Sequence, residues 1–201
     1  MKLLSRILLV GVLIVVLLAG VAFLLPRKYH VERSIEIEAP AALVFRYVGD
    51  LREWPKWTIW DEIDPAMTTV YSEKTTGVGA TSRWDGPKAG KGQLKITAWE
   101  PGQRVVYDLS FEGFDVVSVG QISLSESNGV TRVTWSDAGD LGMNPLNRWF
   151  GLAMDKVIGP DFEAGLAGLK ALCEAPEVLG AAPDKAAEAA RGAVGPAPAS
   201  P

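Results

Sequence analysis

VTRVTWSDAGDLGMNPLNRWFGLAMDKVIGPDFEAGLAGLKALCE, residues 130–174, changes its hydrophobic period part-way along. Up to Asp137, Val133 and Trp135 alternate with Arg132, Thr134 and Ser136, and a period of two places neighbours on opposite faces of a strand. From Asn144 onward the spacing becomes three and four. Leu146, Trp149, Phe150, Ala153, Val157 and Ile158 form one stripe, which resumes with Phe162, Leu166, Leu169 and Cys173. Asn144 is a good N-cap and Pro145 a good first-turn residue. Pro160 cannot donate to the Lys156 carbonyl and clashes with it, so a kink or short break is expected at Gly159-Pro160, then helix to about Glu174.

Upstream of this stretch the period of two persists. Strands are predicted over 66–73, 80–85, 92–100, 104–112, 115–126 and 130–137. Turn signals separate them at Gly77-Val78-Gly79, Gly86-Pro87, Pro101-Gly102, Glu112-Gly113 and Asn128-Gly129. Val105, Tyr107, Leu109 and Phe111 share one face. Another strand begins at Val31, where Val31, Arg33, Ile35 and Ile37 alternate with Glu32, Ser34, Glu36 and Glu38. Between it and the meander, Ala39-Pro40 opens a short helix through Val48, and Leu51–Trp54 reads as a second helical piece stopped by Pro55. The order predicts an α+β fold: a curved antiparallel sheet of seven strands around a long C-terminal helix, with two short helices after strand one.

At the front, Ile7 to Leu25 carries no polar side chain, and fifteen of its residues are Leu, Ile, Val or Phe. As a helix it spans roughly 28 Å, against roughly 30 Å of bilayer hydrocarbon. Those side chains favour insertion by on the order of 5–9 kcal/mol. A cleaved secretory signal is the alternative, since Lys2 and Arg6 form a basic leader and Gly20-Val21-Ala22 resembles a cleavage site. Phe23, Leu24 and Leu25 carry the run past that point and favour an uncleaved single-pass anchor in the cell membrane. Basic residues flank both sides. The short tail favours an amino terminus in the cytoplasm and a domain outside it. The expected division is a tail at 1–6, a transmembrane anchor at 7–25, a linker at 26–30, the folded domain at 31–175 and a disordered Ala/Pro-rich tail at 176–201.

A net charge of −4 over 201 residues argues against a nucleic-acid partner. One cysteine, Cys173, excludes a disulfide framework, and one histidine, His30, excludes histidine-based metal sites and a histidine-based nucleophile within the domain. No cofactor and no metal are expected.

Several motifs carry a family resemblance. Ala39-Pro40-Ala41-Ala42-Leu43-Val44-Phe45 is similar to an APxxxVF helix opening. Leu51–Trp60 places Trp54, Trp57 and Trp60 in register with an lxxWxxWspW segment. Asp64-Pro65, Gly77–Ala80, Trp84, the Gly90-to-Gly92 turn and Gly159–Glu163 with Gly165-Leu166 continue the pattern. Together they resemble the SRPBCC (START/Bet v 1-like) superfamily, and within it the polyketide cyclase/dehydrase-type lipid-transport family. The resemblance implies a helix-grip fold with an apolar space between sheet and last helix. One departure is Thr58-Ile59 where relatives read Ser-Pro, which predicts a looser loop.

The candidate ligand-contacting residues, at the lining or mouth of that space, are Tyr47, Trp54, Trp57, Trp60, Trp84, Tyr107, Phe111, Trp135 and Phe162. The competing reading makes the tryptophans structural wedges and core residues. Arg132 and Asp137 flank Trp135 and could pair to orient a head group, or sit on the wet face. Asp61, Glu62 and Asp64 lack the spacing of a calcium loop. The sequence supports a membrane-anchored, non-catalytic domain whose partner is an apolar small molecule or lipid. About ten buried methylenes give roughly 8 kcal/mol, a micromolar affinity before ordering costs. The alternatives are a cyclase- or dehydratase-like enzyme, marked by a buried carboxylate or Tyr of raised pKa facing the space, and an interaction module whose space is filled by bulky rings.

Overall fold

The computed structural model describes residues 2–178 apart from Asp115. The elements are α1 (Lys2–Ala22), β1 (Lys28–Ile37), α2 (Ala41–Val48), a 3-10 turn (Trp54–Lys56), α3 (Trp60–Ile63), β2 (Thr68–Tyr71), β3 (Thr81–Gly86), β4 (Gly90–Glu100), β5 (Arg104–Phe111), β6 (Val117–Ser127), β7 (Val130–Asp140), α4 (Pro145–Gly151) and α5 (Met154–Cys173). The seven strands form one antiparallel sheet in the order β1-β7-β6-β5-β4-β3-β2. The last strand thus closes against the first, and every other neighbour is a hairpin partner. Asn128 (φ 53°) and Gly129 (φ 78°) make the β6–β7 turn in the left-handed region that Asn and Gly tolerate.

The concave face follows from register. Tyr29, Gly139, Ser118, Leu109 and Leu94 lie in one row across the sheet. Val31, Asp137, Gly120, Tyr107 and Ile96 form the next, and Arg33, Trp135, Ile122 and Val105 the one after. α5 lies against this face on the β1 side through Phe162, Leu166, Leu169 and Cys173. α2 seals the far end. Its first free N–H, of Ala41, donates to the Glu126 carboxylate at 2.8 Å, and Thr131 donates to the Ala39 carbonyl at 2.7 Å.

Two expected breaks fall elsewhere. Pro160 sits inside α5, which runs unbroken from Met154, and the interruption comes at Leu152-Ala153. Arg33 fills the space beside Gly159 and holds the first turns through Asp155 (2.8 Å) and Glu163 (2.5 Å). That clamp spans the turn in which the Pro160 hydrogen bond is missing. Pro55 does not stop a helix either; it sits at the start of the 3-10 turn, where its missing N–H is not needed.

The apolar run expected to anchor the chain at 7–25 is helical to Ala22, then continues to Leu25 in i-to-i−3 bonded turns. No helix among the described residues is long and apolar enough to cross a membrane. α1 packs on the domain only near its C-terminal end, and its apolar side chains from Leu8 to Leu18 leave about half or more of their surface open. Of the tail expected at 176–201, residues 179–201 lie outside the described residues.

Candidate functional site

The aromatic residues singled out in the sequence divide into two groups. Trp54, Trp57, Tyr107, Trp135 and Phe162 are buried in mutual contact and fill the middle of the space between sheet and α5. Trp57 meets Trp135 edge-on at 5.2 Å, Trp54 meets Tyr107 at 5.4 Å, and Trp135 stacks on Phe162. Their polar atoms are used internally: Trp135 Nε1 donates to the Tyr107 hydroxyl at 2.8 Å, Trp54 Nε1 to the Val48 carbonyl, and Trp57 Nε1 to the Tyr47 carbonyl. Tyr47 is buried beside them, with Arg46 over its ring. The loop is not loosened by Thr58, which is buried and donates to the Trp54 carbonyl at 3.0 Å.

The second group lies where the covering thins. Along β5 the concave-face residues go from Tyr107, 2% exposed, through half-buried Leu109 to Phe111, 40% exposed. Phe111 pairs with Gly92, which pairs with Trp84, and the Trp84 indole lies across Gly92 to meet Phe111 edge-on at 5.5 Å. Gly120 and Gly139 likewise carry the Tyr107 and Tyr29 rings, each occupying the place of a Cβ. The partly open strip of the concave face toward the sheet end where β1 begins and β7 finishes, carrying Trp84, Phe111, Leu109 and Tyr29, is termed here the aromatic trough. Trp60 lies at the start of α3, half-buried and outside the ring cluster.

Polar groups meet on this floor. Asp137 is 3% exposed; its Oδ1 accepts from the Tyr29 hydroxyl at 2.7 Å and its Oδ2 from Ser118 at 2.9 Å. Burial pushes the Asp137 carboxyl above the ordinary carboxylate value, against the two hydroxyls that favour its charged form. Burial and the Asp137 carboxylate both push the Tyr29 hydroxyl up, and burial does the same to Tyr107. Asp137 therefore does not sit on a wet face with Arg132, which points the other way and pairs with Glu36 at 2.7 Å. Sequence reasoning passed over Tyr29 and Ser118. The signal for Asp137 was its phase with Val133 and Trp135.

The acidic cluster is dispersed. Asp61 and Glu62 are exposed on α3, while the Asp64 carboxylate turns inward to accept the N–H groups of Lys88 and Ala89 at 2.8 and 2.9 Å. Among the described residues no group of three His, Cys, Asp or Glu side chains could hold a metal ion. Two surface depressions lie outside the trough, and neither is lined by Trp84, Leu109, Phe111 or Tyr29. One of about 500 Å³ lies beside α2 between Arg46, Glu53 and Trp99, and one of about 350 Å³ lies between the β5–β6 turn and the start of α4.

Residues 28–174 match the family described as polyketide cyclase / dehydrase and lipid transport, and the chain belongs to that family. No curated protein matches the chain. Among solved structures, XoxI from Bacillus cereus superposes with a TM-score of 0.55 at 15% identity, over 74% of this chain and 98% of that one. The Helicobacter pylori protein jhp0584 gives 0.54 at 12% identity, over 71% and 86%. DynU16, from the dynemicin biosynthetic locus, gives 0.52 at 19% identity, over 73% of this chain and 47% of that one. At these identities the likeness is one of fold.

Proposed function

We propose that this is a membrane-tethered, non-catalytic member of the family that binds an apolar small molecule or lipid in the trough of Trp84, Leu109, Phe111 and Tyr29. The observation that carries the reading is the exposure gradient along β5. It leaves aromatic surface open on the concave face of a domain whose remaining concave face is closed by its own rings. Phe111 and Trp84 supply apolar area, and the half-buried Tyr29 hydroxyl, which donates its proton to Asp137, keeps an oxygen able to accept from a ligand hydroxyl. α1 supplies the tether: all-round apolar surface on a helix with little packing of its own is stable beside lipid, not in water. The short tail ahead of the apolar run supports an amino terminus in the cytoplasm and a domain outside it.

Native mass spectrometry of the full chain released from membranes in detergent tests the reading, together with titration by the apolar fluorophore N-phenyl-1-naphthylamine. Bound apolar mass, or probe uptake weakened at least several-fold in Trp84→Ala and Phe111→Ala, is expected. A folded protein that carries nothing and takes up no probe overturns it.

A second reading is favoured by one observation. A carboxyl of raised pKa bonded to a tyrosine is the pairing a cyclase or dehydratase would use for proton transfer. Both Asp137 oxygens are occupied by Tyr29 and Ser118, which supports binding over catalysis.

A further inference from the structure

The chain from Leu141 to Ala153 contains a single ionisable side chain, Arg148, and the fold turns it inward. Arg148 is 7% exposed; it donates to the Gly142 carbonyl at 3.2 Å and to the Phe23 carbonyl at 3.1 Å, with its guanidinium 5.4 Å above the Phe23 ring. The cation thus caps the carbonyl end of α1. Around the exposed N-cap Asn144, the outward side chains Met143, Leu146, Phe150 and Leu152 are apolar, with Leu146 and Phe150 69% and 66% exposed. Across the 350 Å³ depression, whose wall includes Asp140, the β5–β6 turn adds exposed Phe114 and Val117, with Glu112 exposed at its start. A patch of this kind on the surface of a domain marks an interaction site.

Its place on α1 says what covers it. Trp149 Nε1 donates to the Leu18 carbonyl at 3.3 Å, so α4 lies beside the apolar run roughly 10 Å short of its end at Leu25. If that run is in lipid, α4 is at the depth of the headgroups and upper acyl chains. There an amphipathic Trp and uncharged apolar neighbours are favoured and an outward cation is not needed.

We infer that α4 and the β5–β6 turn form a second, interfacial membrane contact, so that the trough opens directly onto the bilayer. The turn follows Phe111, the most open trough residue, and β1 begins at the same sheet end. An apolar ligand would pass between the membrane and Trp84–Phe111 without crossing water. The inference rests on the tether reading and adds the orientation of the domain.

The test places single-cysteine environment-sensitive labels on the full chain at Leu146→Cys, Phe150→Cys and Phe114→Cys. Val12→Cys marks α1 and Gln103→Cys marks the opposite sheet end. The wild-type chain, whose Cys173 is buried, sets the labelling background. Each is reconstituted in phosphatidylcholine–phosphatidylglycerol nanodiscs with and without brominated acyl chains. Quenching at least twofold at 146, 150 and 114, with none at 103, is the expected result. Quenching at 12 with 146, 150 and 114 as silent as 103 overturns this inference and leaves the tether standing, including the case in which a second copy covers the patch. Silence at 12 overturns both.

Discussion

The indole of Trp135, on β7, lies flat on the ring of Phe162, on α5, with centroids 4.1 Å apart and planes within 7°. The stack ties the last helix to the closing strand at the centre of the aromatic core. Trp57 and Trp54 pack edge-on against the same indole. Phe162→Ala leaves a ring-sized void there and should cost about 3–5 kcal/mol, a fall in Tm on the order of 10 °C. Phe111→Ala, on the exposed rim of the trough, should stay within about 1 kcal/mol. Thermal unfolding of both in detergent decides it; equal losses would mean the rings are not organised as described.

Glycine-to-alanine changes should separate by what lies above them. At Gly120 a new methyl falls within the Tyr107 ring, which is held by Trp54 and Trp135, so overpacking of about 1–3 kcal/mol is expected. At Gly159 the methyl displaces the Arg33 guanidinium from its solvent-facing Asp155 and Glu163 partners, a modest cost for surface ion pairs, while alanine gains about 1 kcal/mol in a helix, so the net loss should be smaller than at Gly120. Denaturant midpoints compare the two directly.

Two buried carboxyl groups should give opposite pH signatures. The folded-state pKa of Asp137 is raised by burial, so the folded protein holds that proton more tightly than the unfolded chain. Its contribution is complete below the ordinary value of 3.8 and is lost as pH rises through the folded value. Asp137→Asn should therefore gain on wild type as pH rises. Asp64 is lowered, first by the Ala89 N–H, so its contribution is present above 3.8 and lost as pH falls through the lower folded value. Asp64→Asn should fall further behind wild type as pH rises. Tm differences that are flat with pH for both variants would refute the assignment.

Cys173 is fully buried, and burial pushes its thiol up to about 12. It should be inert to thiol-specific reagents in the folded chain and react only along the denaturant unfolding curve. Rapid stoichiometric labelling without denaturant would show that the α5 end does not pack as observed.

Much of the architecture was legible because alternation is a local property. The face shared by Val105, Tyr107, Leu109 and Phe111 is the concave face of β5, and the stripe Phe162, Leu166, Leu169, Cys173 is the buried side of α5. Alternation reports which way a residue points, not what covers it. Tyr107 and Phe111 point the same way, yet α5 and the 3-10 turn leave only one of them buried, so the trough was invisible in the strand pattern. Asp137 was in phase with Trp135, but a charged side chain reads as wet until Tyr29 and Ser118, distant in sequence, appear on either side of it. Pro160 misled because its clash is local while the Arg33 clamp that holds the turn comes from β1.

Arg148 leaves the molecule without a free swivel. One guanidinium joins the corner after β7 to the carbonyl end of α1, so the two parts should turn together. Any tilt of the leading helix is then conveyed to the closing edge of the sheet, and the attitude of the whole head follows from the angle at which its stalk stands.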